Sequence, residues 1–161
     1  MKKTINFTVT AAMIAAIYAV LTLAIAPISF GQIQLRISEA MIMFACITPA
    51  AIPGLTIGCV LSNLASPYGI IDIILGSTAT LLAAAFAYST RKIQIKKLPW
   101  LSPLGAVIFN AFLVSLSIKI VSGSEVLYLL TTFQIGVGQV LACYGLGFPL
   151  WFILQKTNLM K

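Results

Sequence analysis

The sequence contains no histidine and very few acidic residues. Of its 161 residues only three are acidic, Glu39, Asp72 and Glu125. The lack of imidazole excludes a histidine metal site and a histidine proton relay. The three cysteines do not have the C-x-x-C spacing of metal or redox sites, so we expect them to be small buried apolar residues. The composition therefore predicts no metal site and no evident catalytic apparatus.

Charge is scarce in general, since 8% of the residues are charged and 60% are hydrophobic. The mean hydropathy is +1.07. This composition is typical of an integral membrane protein and not of a soluble domain. The net charge of +7 is concentrated at the N-terminus, between Arg91 and Lys97, and near the C-terminus. Such clustering indicates membrane topology and not nucleic-acid binding. We expect a single domain, residues 1–161, that spans a membrane.

The N-terminus has features of a secretory signal peptide. Lys2 and Lys3 precede an apolar run that ends in the A-x-A-like sequence Ala24-Ile25-Ala26. Pro27, however, would follow the cleavage site, and the run is long enough to form most of a membrane helix. We therefore expect this segment to be retained as the first helix.

The apolar segments predict an all-α bundle of six transmembrane helices. They cover approximately residues 5–28, 37–48, 52–65, 70–89, 100–121 and 126–155. Pro49, Pro53 and Gly54 are expected to divide the second and third helices into a hairpin. The positive-inside rule requires an even number of crossings between the basic N-terminus and the basic 91–97 loop, so both termini are predicted to be cytoplasmic. The hairpin arms are short, which predicts that the polar segment before them enters the bundle.

That polar segment is Phe30–Glu39, FGQIQLRISE, which lies between two apolar runs. An ionised side chain in hydrocarbon costs roughly 2.5–3.5 kcal/mol or more, so Arg36 and Glu39 are expected to have a use. With the predicted topology, the acids and most buried amides fall in the outer half of the membrane. This asymmetry favours a solute pocket open to the outside. Alternatively, Arg36 and Glu39 only pair with each other at a helix start.

A second pattern lies on the first helix, where small residues recur at spacing four. Such a ridge lets another helix approach closely. It can serve internal packing, or it can be a surface that a protein partner reaches from the cytoplasmic side. Its members are Ala11, Ala12, Ala15, Ala16 and Ala19.

Three motifs carry a resemblance to a known family. Q-x-R-x-S-E is followed by P-G-L-x-I-G-C and then by D-I-x-x-G-S-x-A-T, and the similarity is densest over residues 30–85. The chain resembles the QueT family of queuosine-precursor transporters. The resemblance implies the substrate-binding S component of an energy-coupling-factor (ECF) transporter. Such a component is a six-helix bundle that docks on a transmembrane coupling protein and two ATPase subunits, and the alanine ridge implies the docking surface. No G-x-x-x-x-G-K-[ST] motif is present, so neither enzymatic activity nor a cofactor is expected in this chain.

The resemblance implies a 7-deazaguanine base as solute, such as 7-aminomethyl-7-deazaguanine or queuine. Carboxylates would accept its N–H groups, and donors would bind its carbonyl oxygen. Arg36 either contacts the ligand or holds Glu39 in position. Phe30, Tyr68 and Phe133 are candidates for stacking on the ring. The candidate binding residues are Gln32, Gln34, Arg36, Glu39, Asn63, Tyr68, Asp72, Asn110 and Gln134.

Two other functions remain open. The chain could be an S component for another flat vitamin, resembling riboflavin or thiamine. It could also be a self-sufficient secondary transporter, although inverted repeats and charges through the full depth of the membrane, which such a transporter would need, are not evident. A membrane enzyme is a third class for which the sequence offers no catalytic groups.

Overall fold

The structure is a computed structural model that describes residues 2–31, 34–123 and 125–157. All regular elements in these ranges are helices. They are α1 (Lys2–Ala24), α2 (Ala26–Ser29), a 3₁₀ helix (Ile37–Cys46), α3 (Ala51–Asn63), α4 (Gly69–Thr90), α5 (Ser102–Ser122), α6 (Glu125–Val140), a π-helical segment (Leu141–Leu146) and α7 (Gly147–Lys156). The all-helical prediction is confirmed for the described residues.

Four helical stretches are long and apolar enough to cross a membrane: Thr4–Ala24, Gly69–Thr90, Ser102–Ser122 and Tyr128–Lys156. The 3₁₀ helix and α3 are shorter apolar helices. At about 2.0 Å per residue, the ten residues of the 3₁₀ helix extend roughly 20 Å, about 5 Å more than the same residues would extend in an α-helix. The tighter helix thus compensates in part for the small number of residues in this arm.

Prolines explain where the chain breaks. The predicted first helix, 5–28, is interrupted at Ile25, because Pro27 cannot donate a backbone hydrogen bond within a continuing helix. The 3₁₀ helix ends at Cys46, just before Pro49, and α3 starts at Ala51. Pro53 then lies in the first turn of α3, where its missing N–H is tolerated. The two arms of the predicted hairpin are therefore separate helices.

The predicted last helix, 126–155, is continuous but widens in its middle. Six residues from Leu141 to Leu146 are π-helical, between α6 and α7. Pro149 lies about one turn further on. In a regular α-helix the N–H of residue 149 would donate to the Gly145 carbonyl oxygen, and proline has no N–H to do so. Insertions of this kind often accompany functional sites.

The 3₁₀ helix lies at the centre of the bundle. The helices α1, α3, α4, α5 and α6 pack consecutively, and the 3₁₀ helix contacts α1, α3, α4, α5, the π segment and α7. Seven of its ten residues are buried, from Ser38 to Met43 and Ala45. The central core therefore includes residues of every long helix packed around Met41, Ile42 and Met43.

The seam between α1 and α3 is built from small residues. A Cβ atom at Gly54 would lie 2.8 Å from the Ala11 carbonyl oxygen, and one at Gly58 would lie 2.8 Å from that of Ala15. Only glycine permits this approach of the two backbones. Ala11, Ala15 and Ala19 are buried, whereas Ala12 and Ala16 are exposed. The buried half of the alanine ridge therefore packs internally against α3, whereas docking of a partner on the ridge stays a prediction.

At the opposite end of the bundle from Asp72, the 91–101 connection is attached to α7. Trp151 Nε1 and Gln155 Nε2 both donate to the Lys97 carbonyl oxygen, at 3.0 and 2.9 Å. The Tyr144 hydroxyl donates to the Trp100 carbonyl oxygen at 3.0 Å. These bonds hold the basic loop against the last helix.

Candidate functional site

Buried polar side chains collect at one end of the bundle, around the start of the 3₁₀ helix. Gln34, Arg36, Glu39, Asn63, Asp72 and Asn110 are each no more than 1% exposed. They come from five separate parts of the chain: the segment before the 3₁₀ helix, that helix, α3, α4 and α5. We call this group of six residues the polar centre. Predominantly apolar packing surrounds it, so its members depend on each other for hydrogen bonds.

An ion pair forms the first half of the polar centre. Arg36 Nη2 lies 3.5 Å from Asp72 Oδ2. Two hydroxyl groups also donate to this carboxylate, Ser66 to Oδ2 at 2.5 Å and Ser117 to Oδ1 at 3.0 Å. Asp72 is placed here because it lies in the first turn of α4, beside the end of α3. Arg36 is therefore paired with Asp72, and not with Glu39 as a local helix-start pair would require.

Asn63 and Cys59 extend this half along α3. The Asn63 amide donates to the Asp72 carbonyl oxygen at 3.0 Å and approaches the Cys59 sulfur at 3.5 Å. Arg36 Nη1 lies 3.8 Å from the same sulfur. Cys59 is fully buried, as expected of a small core residue, but it also contributes a weak acceptor to the polar centre.

Glu39 and the side chains around it form the second half of the polar centre. The Tyr18 hydroxyl donates to Glu39 Oε1 at 2.5 Å. Thr80 and Asn110 lie beside the same carboxylate. Asn110 Nδ2 donates to Gln139 Oε1 at 3.2 Å, and the Cys143 thiol lies 3.7 Å from that oxygen and 3.6 Å from the Glu39 carbonyl oxygen. The π segment, which contains Cys143, thus lies against Glu39.

Several polar atoms here have no hydrogen-bond partner within the described residues. In the polar centre they are Gln34 Nε2, Arg36 Nε, Asn63 Oδ1 and Asn110 Oδ1. An unsatisfied buried polar group costs about 1–3 kcal/mol. Gln34 also has a positive φ of 48°, an uncommon conformation for a non-glycine residue that costs of the order of 1–3 kcal/mol. Unpaired atoms and backbone strain therefore coincide at the candidate site.

The aromatic candidates are placed differently from one another. The Phe30 ring lies under the Arg36 guanidinium, with 5.2 Å between the guanidinium carbon and the ring centroid. Tyr68 is half-buried beside Gln34 and packs on the cluster of Val114, Ile118 and Ile135. Burial raises the pKa of the Tyr68 phenol above its ordinary value, so it remains a hydrogen-bond donor. Phe133 is 71% exposed on α6, so this structure does not bring it to the polar centre, and its stacking role stays a prediction.

One other predicted position does not join the polar centre. Gln134 is half-buried on α6 and forms no hydrogen bond to the centre within the described residues. Gln32 lies outside the described residues. Conversely, the sequence-based prediction missed Tyr18, Ser66, Ser117 and Gln139. A hydroxyl pair at spacing four, Tyr18 and Thr22 in the otherwise apolar second half of α1, was the available signal for Tyr18. Thr22 also bonds the Ser38 hydroxyl at 2.7 Å.

Two cavities among the described residues lie apart from the polar centre. A groove of about 410 Å³ lies between α1 and the 3₁₀ helix, with Met13, Ile17 and Phe44 among its walls. A second, of about 380 Å³, lies between α5 and the last helix and includes Val107 and Phe133. Both are predominantly apolar. The polar side chains, in contrast, pack directly on one another.

The comparisons with known proteins bear on the identity of this bundle. The model of the QueT transporter family matches residues 8–156. The chain belongs to the QueT transporter family. The resemblance seen in the sequence motifs is confirmed at this level. QueT proteins are transporters and not enzymes, and with its several long apolar helices this chain is a multi-pass protein of the plasma membrane.

A curated relative is the "Queuosine precursor transporter QueT" of Lactococcus lactis subsp. cremoris (strain MG1363). It is 40% identical to this QueT chain over 76 residues. The match covers 46% of this chain and 44% of the relative. No solved structure matches the chain.

Proposed function

We propose that this chain is the substrate-binding S component of an ECF transporter and that it imports a queuosine precursor. The relative's name supports the class of solute. The observation that carries the proposal is the polar centre, which holds one buried cation, two buried carboxylates and four unpaired polar atoms inside an apolar bundle. Intramembrane ionisable residues of this kind mark solute sites more often than structural contacts.

The topology that fits this function has six crossings with both termini inside. The four long helical stretches would each cross the bilayer, and the 3₁₀ helix and α3 would complete the bundle as a shorter pair. The basic 91–97 loop would then be cytoplasmic under the positive-inside rule. The polar centre lies at the other end of the bundle, so it would be reached from outside.

The polar centre has the groups that a 7-deazaguanine base requires. Its lactam edge has a carbonyl oxygen and an N–H, which need a donor and an acceptor. Arg36 and Gln34 have unused donors, and Asn63 has an unused acceptor. Since these side chains now pack on each other, a flat base would enter by separating them. The strained segment that contains Gln34 is the element best placed to move.

Energy for import would come from partner chains. The sequence contains no G-x-x-x-x-G-K-[ST] motif, so this proposal requires separate ATPase subunits and a transmembrane coupling protein. Ala12 and Ala16, on the exposed face of α1, are the members of the alanine ridge that such a coupling protein could contact.

Reconstitution separates this proposal from its alternatives. The purified chain alone should bind labelled 7-aminomethyl-7-deazaguanine, and proteoliposomes should accumulate it only when the coupling protein, the ATPases and internal ATP are all present. Accumulation by the chain alone, driven by an ion gradient, would instead identify a secondary transporter. Stabilisation by riboflavin or thiamine, without binding of the deazaguanine, would identify an S component for another vitamin.

A further inference from the structure

The two buried carboxylates of the polar centre differ in how their charge is balanced. Arg36, Glu39 and Asp72 are each 1% exposed or less. The guanidinium of Arg36 pairs with Asp72 at 3.5 Å. Glu39 forms no ion pair within the described residues, and its hydrogen bond at 2.5 Å comes from the uncharged phenol of Tyr18. With both acids ionised, the centre has one negative charge in excess, located at Glu39.

Arg36 acts on Glu39 from beyond ion-pair distance, and the other described side chains near Glu39 are uncharged. Tyr18 on α1, Cys59 on α3, Thr80 on α4, Asn110 on α5 and Cys143 in the π segment are all uncharged groups that lie near it. Isolated charge in a low-dielectric interior is unfavourable, so a cationic group is the natural complement of an ionised Glu39.

The unpaired atoms divide in the same way. Near Glu39 the unpaired atom is an acceptor, Asn110 Oδ1. Near Arg36 the unpaired atoms are of both kinds, the donors Gln34 Nε2 and Arg36 Nε and the acceptor Asn63 Oδ1. An ammonium group only donates hydrogen bonds, whereas a lactam edge both donates and accepts. The two ends of the polar centre therefore suit two chemically different ends of one ligand.

We infer that Glu39 binds a cationic amine of the ligand, while Asp72, held by Arg36, belongs to the end that binds its uncharged hydrogen-bonding edge. This assignment rests on the proposed function and adds to it a charge requirement: the preferred solute is a monocation. Asn110 Oδ1 accepts a second hydrogen bond from the amine. Asp72 contributes less to charge selection, because Arg36 already balances its charge and Ser66 and Ser117 also donate to its carboxylate.

Two ligands with the same number of heavy atoms test this inference. 7-Aminomethyl-7-deazaguanine is cationic at neutral pH, and 7-hydroxymethyl-7-deazaguanine is its neutral counterpart. The purified full-length chain should bind the amine roughly 10- to 100-fold more tightly, the range expected for a charge-assisted hydrogen bond. Glu39→Gln should remove most of this preference by weakening the amine only. Asp72→Asn should weaken both ligands, and it should reduce the preference less than Glu39→Gln does, because the Glu39 carboxylate is still there to accept from the amine.

The affinities of the wild-type chain for the two ligands test the inference even if a variant does not fold. Equal affinity of the wild-type chain for the two ligands would overturn the inference and leave the proposed function standing. A preference that is lost in Asp72→Asn and retained in Glu39→Gln would also overturn it, by assigning the amine to the other carboxylate. Failure of the wild-type chain to bind either ligand would overturn the inference and the proposed solute together.

Discussion

The α1–α3 seam and the polar centre are neighbouring regions that are built in opposite ways. In the seam, Gly54 and Gly58 let two backbones meet so closely that an added Cβ would lie 2.8 Å from a carbonyl oxygen. In the polar centre, four buried polar atoms have no hydrogen-bond partner among the residues that the structure describes. Tyr18 belongs to both regions, because its Cβ packs against Gly58 and its hydroxyl binds Glu39. The seam is optimised for packing, whereas the polar centre retains groups that reduce stability.

Under the proposed function, this difference separates a structural region, the seam, from a binding region, the polar centre. Close contact between small residues is what stabilises helix association in a bilayer. Unpaired polar atoms have the opposite effect on the free energy of unfolding, and they are retained where binding uses them. Substitutions in the two regions should therefore have different signatures, with stability affected in the seam and ligand affinity affected in the centre.

The largest effect on stability is expected from Asp72→Ala. It leaves the buried guanidinium of Arg36 without its carboxylate, which typically costs about 3–5 kcal/mol. Thermal unfolding of the purified protein measures this loss. The double variant Arg36→Met, Asp72→Leu is the control, since it removes both charges and should recover most of the stability while ligand binding stays lost. A double variant that binds normally would contradict a role of this pair in the site.

A smaller loss is expected from Gly58→Ala. The new Cβ would meet backbone and side-chain atoms of Ala15 and Tyr18 at 2.8 Å, and such overpacking costs typically about 1–3 kcal/mol. Gly136→Ala is the matched control, because its Cβ would meet only the Ala111 methyl, at 3.7 Å. Equal unfolding temperatures for the two variants would show that α1 and α3 do not pack as described.

Tyr18→Phe should have a smaller effect still. It removes the hydrogen bond to Glu39 but keeps the ring, and hydrogen bonds in a bilayer contribute about 0.6–1.7 kcal/mol. Tyr144→Phe removes a comparable hydrogen bond at the other end of the bundle. Isothermal titration should show altered ligand affinity for Tyr18→Phe only. The contrast between the two regions fails if both variants change affinity equally.

The smallest change in stability is expected from Ala16→Trp, on the exposed face of α1. Ligand binding should be retained, but uptake in the reconstituted system should be largely lost, since a bulky side chain blocks close helix contact with a coupling protein. Ala15→Trp, one residue away and buried against Gly58, should instead prevent normal folding. Unimpaired uptake by Ala16→Trp would exclude this face as the docking surface.

Much of the fold followed from apolar run lengths and prolines. The break between Cys46 and Ala51 reflects Pro49 and Pro53, and the convergence of Gln34, Glu39 and Asn63 was expected from their polarity alone. Local pattern did not predict the partner of Arg36. Glu39 is three residues away and Asp72 is thirty-six, yet the ion pair forms with Asp72, because α4 begins beside the segment that contains Arg36.

Other features of the fold could not be predicted from local sequence patterns, because they arise from contacts between distant parts of the chain. The 3₁₀ geometry of Ile37–Cys46 arises at the crowded centre of the bundle, where a thinner helix fits between its neighbours. Phe133 is exposed because of how α6 is rotated about its own axis. Since α6 has apolar residues on all of its faces, the sequence pattern does not determine that rotation. The alanine ridge has two faces, and only packing against Gly54 and Gly58 distinguishes them.

The central claim is that the polar centre, and not an apolar groove, binds the solute. A structure of the purified chain bound to 7-aminomethyl-7-deazaguanine tests it most directly. We predict that the base lies between Arg36 and Glu39, with its amine on Glu39 and its lactam edge toward Asn63. A base bound in the groove lined by Met13 and Phe44, with the Arg36–Asp72 and Tyr18–Glu39 contacts unchanged, would contradict the account.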